Sequence, residues 1–222
     1  MWKSIIYKEW LKIRFFLIGF TVLAMMGIAY LFLKVQHGFS FSGGANFWYN
    51  VLFMGSQFFD YIKYVPLSGG LLIAVAQYFP ETIDKRIKLT FHLPLKENHV
   101  LLMMHAFGAG CLLLSYFLLI GVFISLSMIY FPSEMVVDSI ITIVPWFMAG
   151  FVAYFFVALI IMEPVWLYRV FYAMIAGFFV TIYVRSPVMA AYGPAIPGLS
   201  LLMILLSIAL LFSAYRFRKG EM

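Results

Sequence analysis

Long apolar runs separated by short polar segments make up most of this chain. A helix needs roughly 20 apolar residues to cross the hydrocarbon core of a bilayer, so each run is long enough to predict one membrane span. The pattern predicts six spans: Phe15–Leu33, Tyr61–Phe79, Val100–Tyr130, Ser139–Met162, Val170–Val184 and Gly198–Tyr215. We therefore expect an all-α, polytopic membrane protein with a single transmembrane domain over residues 1–222.

Composition supports this class of protein. Hydrophobic residues make up 65% of the chain and charged residues only 11%, which would leave a soluble domain covered in apolar patches. The single cysteine, Cys111, lies inside an apolar run and is expected to serve in packing. The net charge of +6 comes from residues beside the predicted spans, which favours a membrane surface as partner and argues against nucleic acid.

Details of the pattern predict local features. The third run exceeds a spanning length, so its helix should tilt or project beyond the hydrocarbon. Part of the Gly- and aromatic-rich segment between Lys34 and Asp60 is expected to form a short surface helix before the second span. Asp60 and Lys63 are spaced to pair with each other. Small residues four apart predict close helix packing at two places: Ala106 with Gly110, and Ala173 with Gly177.

Basic residues predict the orientation, because Lys and Arg near short loops stay on the cytoplasmic side. With both termini cytoplasmic, three basic residues fall outside: Lys34, Lys63 and Arg185. Twelve fall inside: Lys3, Lys8, Lys12, Arg14, Lys85, Arg86, Lys88, Lys96, Arg169, Arg216, Arg218 and Lys219. An odd number of spans would separate the two basic termini, so the same count favours six.

The first 14 residues have helical spacing of their own. An apolar stripe is formed by Trp2, Ile5, Ile6, Trp10 and Ile13, while Lys3, Lys8 and Lys12 lie off it. This pattern predicts a membrane-surface helix with its aromatics at the acyl boundary and its basic residues, including Arg14, among the headgroups. Such a helix either sets the angle of the first span or also touches a cytoplasmic partner.

Residues 80–98 form the charged cytoplasmic loop between spans two and three. Pro80 suits the first turn of a helix, Glu81 and Asp84 suit its positive end, and three basic residues follow: Lys85, Arg86 and Lys88. This order predicts a short helix over Glu81–Thr90 that ends before Leu93-Pro94. The alternative is a solvated connector without a partner. Glu163-Pro164 predicts a second helix break on the same side.

The N-terminal Lys8-Glu9-Trp10-x-Lys12-x-Arg14, the six spans with short loops, and the order Phe-x-Glu, basic cluster, Leu93-Pro94 after span two resemble the permease subunits of type-2 ABC exporters. The resemblance implies that the segment after span two is a coupling helix seated on an ABC ATPase subunit. It implies contacts to that ATPase from Glu81, Asp84, Lys85, Arg86, Lys88, Leu93 and Pro94. Glu163, at the second predicted helix break, is either a further, smaller contact or simply the end of its span.

The resemblance also implies a second permease copy or paralogue, ATP and Mg²⁺ on the ATPase, and a location in the inner membrane of a bacterium. The chain itself has no Gly-x-x-x-x-Gly-Lys-Ser/Thr phosphate loop, so no cofactor and no catalytic residue are expected in it. The largely apolar spans favour a hydrophobic or amphipathic substrate.

Two other classes of function remain open. A membrane-embedded haem protein or enzyme would need His92, His99 and His105 to converge, but their spacings of seven and six do not form a compact metal face. A non-transporting anchor or immunity-type component would use the cytoplasmic loop only as a dock. No metal site is expected in either the histidines or the 14 scattered methionines.

Overall fold

The structure, a computed structural model, describes residues 2–54, 56–83, 97–185 and 188–219. These residues form helices and turns, with no strand among them. The α-helices of the described ranges are α1 (Trp2–Ser42), α2 (Gly44–Leu52), α3 (Val65–Ile83), α4 (Glu97–Tyr130), α5 (Ser133–Met162), α6 (Trp166–Val184) and α7 (Ile196–Lys219). The all-α class expected from the sequence is confirmed.

Within the described ranges, five helices are long and apolar enough to cross a membrane: Lys3–Phe41, Asp60–Ile83, His99–Tyr130, Ser133–Met162 and Trp166–Val184. They correspond to the first five predicted spans. The sixth prediction falls on α7, where the stretch Gly193–Ile208, which begins just before α7, qualifies as a shorter apolar helix. A multi-pass membrane protein is therefore supported, while the sixth span stays a prediction.

The first helix differs from the prediction at both ends. It runs without a break from Trp2 to Ser42, a length of about 61 Å at 1.5 Å per residue, roughly twice the hydrocarbon thickness. The predicted surface segment is thus continuous with the first span and does not form a separate helix. The connection after it is correspondingly shorter, and it contains the short helix α2, as expected.

Helix α3 also runs further than expected. Its second residue is Pro66, which suits a first turn, but it continues through Pro80 and ends at Ile83. The prediction that a new helix begins at Glu81 is therefore wrong, because Glu81 belongs to the last turn of α3. Residues 84–96, which hold the rest of the predicted coupling helix, lie outside the described residues.

Helix α5 forms the centre of the bundle. It contacts α3, α6 and α7 along much of its length, and two of its large side chains, Trp146 and Tyr154, are fully buried. By contrast, α6 leaves most of its large apolar side chains exposed, as a helix facing lipid does. The predicted helix break is confirmed, because α5 ends at Met162 and Glu163 is already extended.

Close packing in this bundle occurs at glycines other than those predicted. Among the described residues, no atom of another element lies within 4 Å of a Cβ built on Gly110 or Gly177. A Cβ on Gly70 of α3 would instead collide with the backbone carbonyl of Gly150 in α5. The two backbones touch there, which brings α3 against the central helix. Just before α3 begins, Asp60 and Lys63 pair at 3.9 Å, as their spacing predicted.

We predict that Gly70→Ala lowers the free energy of unfolding by about 1–3 kcal/mol, because its methyl group can be accommodated only if α3 and α5 move apart. Gly177→Ala is the matched control, with open space at its Cβ and about 1 kcal/mol of helix propensity to gain. Unfolding titrations in mixed detergent micelles measure both variants. Equal stabilities would contradict the backbone contact.

Candidate functional site

Two carboxylates are buried inside the bundle. Glu9 of α1 and Glu81 of α3 are each only 1% exposed, although the helices around them are mainly apolar. An isolated ionised carboxylate in such surroundings would be strongly unfavourable, so each needs a compensating charge or hydrogen bonds. Both find them in one cluster, which we call the Glu9–Glu81 cluster and which also contains Lys8, Lys12 and Gln77.

Lys12 joins the two carboxylates. Its Nζ lies 2.5 Å from Glu9 Oε1 and 2.8 Å from Glu81 Oε1, and its side chain is 13% exposed. Lys8 reaches Glu81 Oε1 at 2.7 Å and is 41% exposed. Residues three and four apart share a helix face, so Lys8, Glu9 and Lys12 are neighbours on α1. Two lysines and two glutamates make the cluster neutral overall.

Gln77 connects this ionic group to the rest of the bundle. Its Nε2 donates to Glu9 Oε2 at 3.0 Å and to the Met104 carbonyl at 2.7 Å, while its Oε1 accepts from the Tyr154 hydroxyl at 2.7 Å. Both N–H groups and the oxygen are therefore used, as expected for a fully buried amide. One side chain of α3 thereby contacts α1, α4 and α5.

A glycine makes room for this amide. A Cβ placed on Gly108 of α4 would occupy the positions of Gln77 Oε1 and the Tyr154 hydroxyl. Any other residue at 108 would therefore displace the hydrogen bond that links α3 to α5. Glycine is needed at 108 for the space it leaves and not for a special backbone conformation, because residue 108 has the backbone conformation of an ordinary helix.

Next to the amide, His105 pairs with Tyr78. The Tyr78 hydroxyl lies 3.0 Å from Nδ1, and the imidazole stacks on the Tyr154 ring and contacts the Phe155 ring at a tilt. Within the described ranges no group of three or more His, Cys, Asp or Glu could hold a metal ion. His99 lies on the same helix as His105 and is exposed, while His92 is outside the described residues.

The structure gives the predicted partner-binding residues different surroundings. Glu81 is not presented to solvent, because both lysines of α1 cover it. Glu163 is fully buried, and its backbone carbonyl accepts a 2.6 Å hydrogen bond from Arg169 Nε. The remaining predicted contacts lie outside the described residues: Asp84, Lys85, Arg86, Lys88, Leu93 and Pro94.

The predicted membrane-surface residues are divided between two faces of α1. Lys3 and Trp10 are exposed, and the Arg14 guanidinium lies 4.5 Å from the Phe15 ring centre. Lys8 and Lys12 instead face the bundle, where the buried carboxylates hold them. The side chain of Trp2 lies outside the part of the chain that is described. The apolar stripe predicted for this segment is therefore only partly buried. Ile5 and Ile13 are buried, while Ile6 is exposed.

Sequence reasoning missed Glu9, Gln77 and Tyr154 as members of a site. A signal was available for Gln77, which is the one amide in the apolar run of the second span. Buried polar residues in a membrane span mark functional positions by default. Tyr154 carried no comparable signal, because tyrosine is common throughout this chain.

No protein-family model, no curated protein and no solved structure matches this chain. The geometry of the cluster therefore has to support any functional assignment. That geometry ties the start of α1 to the end of α3, and it ties both to α4 and α5. Ion pairs and hydrogen bonds of this cluster thus link four helices at one end of the bundle.

We predict that Lys12→Met lowers the free energy of unfolding by about 3–5 kcal/mol, because it leaves buried carboxylate charge uncompensated. Lys8→Met should cost no more than about 1 kcal/mol, because the Lys8 side chain is 41% exposed and Lys12 still neutralises Glu81. Adding Glu9→Gln to Lys12→Met should recover most of the loss, since Lys8 still pairs with Glu81. Failure of this rescue in detergent unfolding titrations would show that the loss in Lys12→Met does not come from unpaired charge.

Proposed function

We propose that this chain is the membrane-spanning permease subunit of an ATP-driven ABC exporter, powered by a separate ATPase subunit. The observation that best supports the proposal is the position of the Glu9–Glu81 cluster. Glu81 lies two residues before the end of α3, where the segment begins that the resemblance assigns to ATPase coupling. A force applied to that segment would reach the start of α1 through the ion pairs of Lys8 and Lys12.

The proposed topology has six spans and two cytoplasmic termini. Five candidate spans support it directly, and α7 would provide the sixth with residues 196–219. The cluster would then lie on the cytoplasmic side. ATP and Mg²⁺ would bind the partner, because the sequence has no phosphate loop.

Assembly and substrate complete the proposal. A second copy or a paralogue would supply the other half of the pathway, and the complex would occupy the inner membrane of a bacterium. The substrate would be hydrophobic or amphipathic, because the described helices are largely apolar and their internal polar side chains mostly bond to each other or to the backbone. The alternative, a non-transporting anchor, would keep the same cluster but would show no coupling to ATP hydrolysis.

Cysteine labelling tests the topology. In a Cys111→Ala background, single cysteines at Ser4, Lys88 and Glu221 should be protected from an impermeant thiol reagent in intact cells, while those at Ala45 and Ser133 should react. Ser4, Ala45 and Ser133 are exposed, so reactivity reports their side of the membrane. Labelling at Lys88 from outside would contradict the proposed orientation and its cytoplasmic coupling segment.

Copurification tests the partner. The purified chain should hydrolyse no ATP alone, but should retain a soluble ATPase from its native membrane in mild detergent and form a two-fold pair. The matched control is the Lys12→Met/Glu9→Gln double variant, which should still bind the ATPase because it alters no residue of the 84–96 segment. Isolation as a monomer without an ATPase would favour the anchor.

A further inference from the structure

The last turn of α3 lacks a backbone restraint that the rest of the helix has. Pro80 has no N–H to donate to the carbonyl of Ala76, yet the helix continues to Ile83. Thr82 Oγ1 also donates to the Phe79 carbonyl at 3.0 Å, a side-chain bond of the kind that bends helices. The last turn of α3 therefore lacks one backbone hydrogen bond to the turn before it, and Pro80 can act as a hinge.

The carboxylate carried by this turn is incompletely satisfied. Glu81 Oε1 accepts both Lys8 and Lys12, whereas Oε2 is buried and has no hydrogen-bond partner in the described part of the chain. A buried acceptor without a partner destabilises the arrangement that contains it. Rotation of the turn toward the surface of the bundle would free that oxygen from burial, and Lys8, 41% exposed, lies at that surface.

The two large apolar side chains that flank Glu81 offer little resistance to such a rotation. Phe79 and Ile83, on either side of Glu81, are 52% and 62% exposed. One turn earlier the situation is opposite, because Gln77 is fully buried and bonded to α1, α4 and α5. A boundary between a fixed and a movable part therefore falls at Pro80.

We propose that residues 80–83 form a hinged latch. In the closed state, seen here, Glu81 holds Lys8 and Lys12 of α1. In the open state the turn pivots at Pro80, Glu81 leaves both lysines for water, and Lys12 keeps its pair with Glu9. The latch rests on the proposed function in one respect: the displacement that opens it would come from the segment that follows α3.

A distance between two spin labels on the full-length chain measures the populations of the closed and open states of the latch. Cysteines at Ser4 and Ile83, both exposed, are labelled in a Cys111→Ala background, and pulsed electron resonance reports their distance in nanodiscs. We expect a major short distance and a minor long one. Glu81→Gln and, separately, Lys8→Gln should raise the long-distance fraction about fivefold, because each weakens the closed state from one side. Pro80→Ala should suppress that fraction, because alanine restores the missing N–H.

Glu134→Gln is the matched control, since it removes an exposed carboxylate from the first turn of α5 without touching the latch. Thermal unfolding of every variant shows whether it is folded. A single distance that none of the three latch variants changes would overturn the proposal, as would an equal effect of Glu134→Gln.

The same labelled chain separates the latch from the proposed function. If the copurified ATPase binds and hydrolyses ATP while the distances stay fixed through the nucleotide cycle, the latch is wrong and the transporter assignment stands. If the variants shift the distances as expected but no ATPase associates, the latch stands and the transporter assignment fails.

Discussion

Neutralisation of two buried carboxylates is the constraint on which this end of the bundle depends. Glu9 and Glu81 come from different helices, and Lys12 must lie within bonding distance of both. That requirement fixes the rotation and the height of α1 relative to α3, because a shift of one residue in either helix would separate the charges. Well-packed apolar residues could give equal stability, so the cluster is better explained by the defined geometry it imposes than by the energy it contributes.

Close backbone contacts make this geometry possible. The contact of Gly70 with Gly150 brings α3 against α5, and Gly108 leaves space for the amide of Gln77. With a larger residue at any of these positions the helices would stand further apart, and one amide could not reach partners on three other helices. The steric and the polar interactions therefore depend on each other. Small residues set the distance between the helices, and hydrogen bonds select one register of the helices at that distance.

Much of the architecture could be predicted from the sequence, because membrane spans are encoded by long apolar runs that need no knowledge of tertiary contacts. The ends of α1 and α3 could not be predicted in this way. Beyond its apolar run, a helix continues for as long as tertiary contacts support it, and a local sequence pattern does not reveal those contacts. Pro80 and Glu81 are typical of a helix start, and the ion pairs with α1 reverse that preference. The cluster was beyond prediction for a related reason: Glu9 and Gln77 are far apart in sequence, and only the packing of α1 on α3 brings them together.

The Glu9–Glu81 cluster also affects the count of basic residues from which the membrane orientation is predicted. Lys8 and Lys12 are neutralised within the protein, so they say less about the membrane side than an unpaired loop lysine would. Leaving both out still gives ten basic residues on the proposed cytoplasmic side against three on the other. Of those three, Lys34 lies 4.1 Å from the Tyr61 ring centre and Lys63 pairs with Asp60, so two are engaged locally as well. The charge asymmetry behind the proposed orientation therefore does not depend on the lysines that the cluster holds.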